Sequence, residues 1–574
     1  MNPAQLLAHF DCISEAPDAI PRLRRFILDL AVRGKLVEQD PVDEPASELL
    51  KRIQVKKARL LKEGRMKKQG RLPSVEPQET WKVPSNWVFV PLETLTGTKG
   101  FFTDGDWVES KDQDPDGDVR LIQLADVGVG VYRNRSSRFM TSASAARLNC
   151  TYLNPGDILI ARMPDPLGRA CIFPGDPKPS VTVVDVAILR LGTYDLDSAY
   201  VVHAINSPPF VQNVESKAAG ATRSRISRSN LSLIPFPLPP LAEQHRIVAK
   251  VDELMAVCDR LEAAQADRER RRDRLVAASL QRLNNGADAQ SFREHARFHL
   301  SHLPRLTTRP AHIQQLRQTI LNLAVRGQLL PQDPNDEPAS ELLKRIQAEK
   351  ARLVKEGRIR KEQLVPSLEA DEMPFELPNG WRWLRVGEIG FTQTGTTPSS
   401  NNPEYFGNYI PFVKPADLTG NFINYSGEGI SKEGVVHSRL IPKNSVLMVC
   451  IGSSIGKVNV NDRNVCCNQQ INTVTPYIEH LTRFTSFALK ADYFQKLILA
   501  NAGMGTLPII SKGKWEILPI PLSPLAEQYR IVAKVEELLA LCDRLEAQLT
   551  TAQTENRLLL EAILHQAMAP VPTG

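Results

Sequence analysis

Residues 241–263 read LAEQHRIVAKVDELMAVCDRLEA, and residues 525–547 read LAEQYRIVAKVEELLALCDRLEA. Each follows a proline-rich run, PFPLPP at 235–240 and PLSP at 521–524, and proline cannot sit inside a helix. In the first copy Ile247, Val251, Leu254, Cys258 and Leu261 recur four and three residues apart. In the second the stripe is Ile531, Val535, Leu538, Cys542, Leu545 and Leu549, running on to Leu559 and Ile563. That spacing is the a/d seam of a helix that packs along a partner helix. It predicts two long, near-identical helices, 241–283 and one over 521–574, as a scaffold used twice.

Outward from these helices, more of the chain repeats. DEPASELLKRIQ stands at 43–54 and again at 336–347, an offset of 293, while the proline-rich stop and long helix repeat at an offset of 284. The chain is one unit of about half its length written twice. Each unit opens with a helical module. Residues 18–35 predict a helix ending at Gly34, and 38–70 a second one started by Pro45 and Ser47. Between module and long helix lies a middle domain, Trp81 to about Pro235 and Trp381 to about Pro519. Short β-type runs broken by Gly, Pro, Asn and Asp (VRLIQLADVGVGVY, GDILIARM and SVTVVDVAILRL; then YIPFVKPADL, NSVLMVCIG and INTVTP) predict mostly-β heads with a helix or two. The helical parts are strongly alike and the heads faintly so. Gln123–Asp126 matches Lys414–Asp417, Gly168–Arg169 matches Gly456–Lys457, and Ile226–Arg228 matches Ile510–Lys512. Residues 284–310, with three of the ten histidines (His295, His299 and His302), read as a polar linker rather than a metal site.

At 574 residues the chain exceeds one core, which rarely grows past ~250–300 residues. Its net charge of +6 mildly favours a polyanionic partner. Eight scattered cysteines form no CxxC pair, so neither a zinc site nor a disulfide framework is expected. No leader-like N-terminus or apolar run of ~18 residues stands out, and a reducing cytoplasm is the expected compartment.

A duplicated frame with unlike heads predicts a pseudo-two-fold arrangement in which like parts bind two copies of one partner and unlike heads bind two different targets. A helix of ~43 residues is about 65 Å long. DNA half-sites one turn apart are separated by roughly 34 Å. The helices could therefore act as a ruler between two stretches of one duplex.

The sequence resembles the specificity (S) subunits of Type I restriction–modification systems. The residues that carry the likeness are PLPPLAEQHRIVAKVDEL and PLSPLAEQYRIVAKVEEL, the LAVRGKL and LAVRGQL segments with DEPASELLKRIQ, GTTPS at 395–399, IGSSIGKV at 451–458 and NQQIN at 468–472. The first head departs from the pattern in lacking GTTPS and NQQIN. The resemblance implies an α/β (α+β) chain with two mostly-β target recognition domains, 81–236 and 381–520. They would be separated by a long antiparallel helical coiled-coil scaffold, internally duplicated with pseudo-two-fold symmetry. The helical parts would be 1–80, 237–380 and 521–574. It further implies a chain without catalysis of its own, each recognition domain reading one half of an asymmetric bipartite sequence in double-stranded DNA. Two methylation subunits, using S-adenosylmethionine to methylate adenine N6, would dock on the helices. Restriction subunits using ATP and Mg would join the full complex.

Catalytic signals are weaker. SPPF at 207–210 approaches the polar-Pro-Pro-aromatic loop of an adenine methyltransferase, the rival reading being a self-sufficient enzyme. It lies opposite KADYF at 490–494, which points to the start of a helix. GSSIGK at 452–457 has one residue too few between its glycines for a phosphate loop, and a strand–turn–strand fits better. Binding signals are stronger. ATRSRISRSN at 221–230 sets Arg223, Arg225 and Arg228 among small hydroxyl residues, and in extended backbone 223 and 225 share a face. Such a set suits phosphate, against the plainer reading of a solvated basic loop. Its counterpart carries Lys512 and Lys514. Arg169 and Lys457 each follow a glycine, and Arg162 and Lys414 complete the cations. Gln469 and Gln470 carry the amides that can read adenine in the major groove, or else form a buried network. DRERRRDR at 267–274 reads as a solvated helix face, since Asp267, Glu269 and Asp273 offset its arginines.

Overall fold

The computed structural model describes residues 16, 18–63, 75, 77, 81–97, 100–164, 166–192, 196–220, 224–284, 289–359, 366–504 and 507–568. The chain divides into two compact units, 1–267 with 553–574, and 268–552. Both contain the same parts. In the first, helix Ala19–Val32 turns at Gly34 (φ +65°), whose missing Cβ would lie 2.4 Å from Pro84. Helix Ala46–Lys62 follows, then the head, then helix Leu241–Asn284, whose residues from 268 on belong to the second unit. In the second the order is Pro310–Val325, Ala339–Lys355, a head, and Leu525–Met568, whose residues from 553 on belong to the first unit.

Each head is built on a four-stranded antiparallel sheet of one topology. The strand order is Phe101–Asp104, Val186–Arg190, Ile158–Ala161, Ala170–Ile172 in the first head. It is Gly390–Thr394, Ile471–Pro476, Val446–Val449, Val458–Val460 in the second. The central strands read as unbroken apolar runs because both faces are covered. Ile158 and Ile160 enter one core, and Leu159 and Ala161 another. Val446 and Met448 likewise enter one core, and Leu447 and Val449 another. A second sheet holds Phe139–Met140, Val119–Ile122 and Ser180–Thr182 in the first head, the last two strands parallel. In the second head the same motif has five strands, Phe406–Gly407, Gly429–Ile430, Ile410–Val413, Val465–Cys467 and Leu440–Ile441. The second head thus carries one further strand at each edge.

The proline-rich runs are strands, not only stops. Pro235–Leu238 pairs with Val88–Pro91, and Pro519–Leu522 with Arg382–Arg385, so each head closes on its own first strand. A two-stranded sheet tolerates prolines whose missing N–H faces outward. Domain edges placed at 236 and 520 therefore cut through strands. The counterpart of Trp381 is Trp87, not Trp81. Trp87 Nε1 donates to Glu243 (2.9 Å) and Trp381 Nε1 to Glu527 (2.8 Å). Gln39 and Gln332 donate to the same carboxylates. Arg246 pairs with Asp43 (2.6 Å) and Arg530 with Asp336 (2.5 Å). Burial pushes both glutamate carboxyls above their ordinary value.

The helix seam packs, as its spacing suggests, on a partner helix, the unit's own leading helix, and also on the head. Ile247, Val251 and Cys258 are buried in one core with Ile20, Ile27, Tyr200 and Val214 of the unit's own leading helix and head, whereas Leu261 is exposed. Arg24 reaches Asp259 (2.6 Å) and Glu262 (2.9 Å), and Arg317 reaches Asp543 (2.7 Å) and Glu546 (2.9 Å). Farther along, Leu560 packs with Ala16 and Ala19 in the first unit, and Val276 with Leu280, Leu283 and Leu306 in the second.

The expected linker is helical. Ala289–Ser301 and Leu303–Leu306 are helices, and Phe292, Ala296 and Leu306 pack on Val276, Leu280 and Leu283. Small residues and histidines at helical spacing concealed the apolar face. His299 is buried with Nδ1 3.0 Å from Ser279 Oγ, and His302 Nδ1 lies 2.9 Å from Phe298 O. In the 267–274 run Arg268, Arg270, Arg271 and Arg274 are exposed, and Glu269 and Asp273 pair with arginines. Asp273 pairs with Arg309 and with His312 (2.8 Å), and Arg272 with Glu269. No helix among the described residues is long and apolar enough to cross a membrane.

Glu527→Ala strands the buried indole N–H of Trp381, so urea unfolding should show a loss of about 1–3 kcal/mol, with Glu527→Gln losing less. Burial lowers the pKa of His299 below its ordinary 6.5, so folding favours the neutral ring. Its contribution is full above about pH 6.5 and is lost as pH falls through the depressed value. Unfolding midpoints between pH 7 and 5 should fall, and fall less in His299→Asn.

Candidate nucleic-acid interface

Backbone hydrogen bonds place the heads in register where their sequences are unalike. Ile226 N donates to Arg162 O (3.2 Å) and Ile510 N to Cys450 O (3.0 Å). Arg162 N donates to Asp185 O (2.9 Å) and Cys450 N to Gln470 O (2.8 Å). Gly105 N donates to Val186 O (2.9 Å) and Gly395 N to Ile471 O (3.0 Å). Asp185 thus stands where the second head has Gln470, and Gly105 where it has Gly395. The first head lacks the letters of GTTPS and NQQIN but keeps their backbone at Gly105 and Val183–Val186. Both glycines are demanded by the same close approach. A Cβ on Gly105 would lie 2.2 Å from Val183 O, and one on Gly395 2.2 Å from Asn468 O.

The faint sequence matches have structural content. Asp126 Oδ2 accepts from Gln123 N and Asp417 Oδ2 from Lys414 N, both at 2.8 Å. Gly168 N donates to Ala161 O and Gly456 N to Val449 O, both at 2.9 Å. Ser227 and Ser511 cap short helices Arg228–Ser232 and Lys512–Glu516.

The predicted cations separate into three groups. Arg162 and Arg169 are buried, and their place among the candidate DNA-binding cations is corrected. Arg169 donates to the carbonyls of Val127 (2.7 Å), Leu124 (2.8 Å) and Pro166 (2.9 Å), so its guanidinium stitches the QLAD turn to the glycine turn. Arg162 donates to Ile226 O (3.0 Å) and to Asp104. Burial pulls its pKa down, and Asp104 offsets this. A glycine–cation pair in the sequence cannot reveal which way the side chain turns. The second group is half-buried or exposed, and tethered. Arg225 faces Asp185 (3.3 Å), and Arg228 faces Asp104 (3.8 Å) while donating to Phe102 O (3.3 Å). Lys512 is half-buried between Glu516 (2.5 Å) and Thr392 Oγ1 (3.0 Å), and Lys514 Nζ lies 3.5 Å from Asn501 O. The third group is exposed without an ion pair among the described residues: Lys414, whose Nζ lies 5.9 Å from the Phe412 ring centroid, and Lys457. Arg223 lies outside the described residues.

Gln469 is exposed, and its Oε1 accepts from Thr397 Oγ1 (2.7 Å). Gln470 is half-buried and accepts from Asn468 Nδ2 (3.0 Å), which places it in a local network instead. The two amides expected to act alike are thus separated. Asp104 and Asp185 are partners that the sequence did not mark, because each lies tens of residues from the group it holds; Thr397 stands in the GTTPS motif, but its pairing with Gln469 was not legible. SPPF starts the helix Pro208–Ser216, with Ser207 Oγ donating to Ala204 O (2.7 Å), and KADYF starts Asp492–Asn501. GSSIGK is the turn between two antiparallel strands, with Gly452 and Gly456 at φ +84° and +86°.

This geometry offers hydrogen-bond donors and tethered cations at corresponding sheet ends of two heads. Residues 106–268 and 378–552 match the family model for the Type I restriction modification DNA specificity domain. The chain is 33% identical over 571 residues to the EcoAI specificity subunit of a Type I restriction enzyme from Escherichia coli, covering 96% of this chain and 94% of that one. It is 30% identical, with the same coverage, to the EcoEI specificity subunit from Escherichia coli. The chain belongs to the family of Type I restriction–modification specificity subunits.

Gly395→Ala must displace the Cys467–Asn468 backbone, at a cost of about 1–3 kcal/mol by analogy with overpacking. Its expected effect on DNA binding is loss of discrimination in one half of the target, with the other half unchanged in a competition assay.

Proposed function

We propose that this chain is the DNA-reading subunit of its complex and performs no chemistry itself. Each head reads one half of an asymmetric bipartite sequence in double-stranded DNA, and the long helices set the gap between the halves. The two repeated frames dock two copies of a methylation subunit, which supplies S-adenosylmethionine for methylation of adenine N6. Restriction subunits, which supply ATP and Mg, join the full assembly. The observation that carries this reading is that one shared frame bears different polar groups at an equivalent, half-buried position, Asp185 in the first head against Gln470 in the second. One frame can then present two hydrogen-bonding faces. Direct readout by base edges gives sequence choice, and cations such as Lys414, Lys457, Arg225, Arg228, Lys512 and Lys514 give salt-dependent affinity.

A map of methylated adenines in cells with and without the gene tests this. A bipartite motif with a fixed gap should vanish on deletion. Replacing the first head, residues 81–236, should change one half of that motif only. A change in both halves would overturn the modular reading.

A further inference from the structure

The second head must read bases with groups the first head does not share, because the common frame cannot distinguish two sequences. The heads differ in the second sheet, where strands Phe406–Gly407 and Leu440–Ile441 have no counterpart among the described residues of the first head. Arg439 immediately precedes Leu440–Ile441. Building on the DNA-reading function above, we propose that Arg439 reads a guanine in the second half of the target, acting beside Gln469.

The placement follows from register. Strand Val465–Cys467 lies between two others. Val413 pairs with Cys467 on one side and Leu440 with Cys466 on the other. Lys414 and Arg439 therefore flank the point where Asn468–Gln470 leaves the sheet, and Asn468 N donates to Val413 O (3.2 Å). Neighbouring strands are ~4.8 Å apart, so the row from Lys414 to Arg439 spans about 10 Å. That matches roughly three base-pair steps of 3.4 Å.

The chemistry of the group supports the assignment. Arg439 is exposed, and its Nη1 donates to Thr394 O at 2.6 Å. Arg385, Arg463 and Arg483 of the same unit face Glu372 (2.7 Å), Asp462 (3.0 Å) and Glu536 (3.6 Å). Arg439 faces no carboxylate among the described residues. A single carbonyl tether orients the fork without neutralising it and leaves other N–H groups to donate. The backbone around it is also held. Ser438 Oγ donates to Thr396 O (2.7 Å), and His437 stacks on Tyr405 with centroids 4.3 Å apart. Arginine donates two parallel hydrogen bonds to guanine O6 and N7, whereas glutamine suits adenine. Lys414, a point charge at the other end of the row, suits phosphate.

The test uses the full chain with its methylation partner. Competition binding against targets changed one base at a time is measured for wild type, Arg439→Ala and Arg439→Lys. The expected result is loss of about 5- to 150-fold discrimination at one guanine of one half-site. The lysine variant should lose it too, because it keeps the charge but not the fork. Discrimination in the other half should be unchanged, which also reports that the protein is folded. Equal weakening toward all sequences, with a salt slope lower by about one, would make Arg439 a phosphate contact and overturn the inference. Unchanged discrimination, or full rescue by lysine, would overturn it as well. If wild type shows no bipartite preference at all, the DNA-reading function itself fails, a result distinct from a preference that ignores Arg439.

Discussion

In each unit the leading module, the head and the long helix meet at one buried carboxylate. Glu243 and Glu527 sit in the first turn of helices Leu241–Asn284 and Leu525–Met568, and both are almost fully buried. A carboxylate there is costly unless its acceptors are used. Each is used twice, by a tryptophan at the start of the head and by a glutamine just beyond the unit's leading helix, Trp87 with Gln39 and Trp381 with Gln332. Removing either partner would leave the other group buried and unsatisfied. The module, the head and the helix are therefore joined at one point in each unit. The neighbouring Arg246–Asp43 and Arg530–Asp336 pairs repeat the link at the surface.

This constraint accounts for the uneven likeness of the two halves. The residues of LAEQ, QDP and DEP meet one another across long stretches of chain, so a change in one is penalised by the others. Within the heads, the frame is held mainly by backbone hydrogen bonds, such as those from Ile226 to Arg162 and from Ile510 to Cys450. Apart from the glycines at 105 and 395, such main-chain bonds place little demand on side-chain identity. A head can keep its strand order while exchanging Asp185 for Gln470.

Some of the candidate site was legible in the sequence. Ser227 and Ser511 cap short helices at the matched ISR and ISK positions, and Gln469 and Lys414 are exposed. Arg162 and Arg169 were legible as cations but not as buried ones, since nothing local shows that carbonyls of Leu124, Val127 and Ile226 surround them. The helical stretch after Asn284 was hidden for a similar reason. Its apolar face is completed by His299, which counts as polar until Ser279 is seen beside it.

The amino-acid sequence alone determined the duplication, the two long helices, the mostly-β heads and the family. Each of these rests on periodicity or repeated words, which are properties of neighbours along the chain. Only the tertiary structure decided the rest. It showed that the helix seam faces the unit's own leading helix and head, that Trp87 rather than Trp81 answers Trp381, and that Gly105 answers Gly395. Those facts depend on groups brought together from distant positions, where a backbone approach that leaves no room for a Cβ, or a shared carboxylate, leaves no mark on the letters between them.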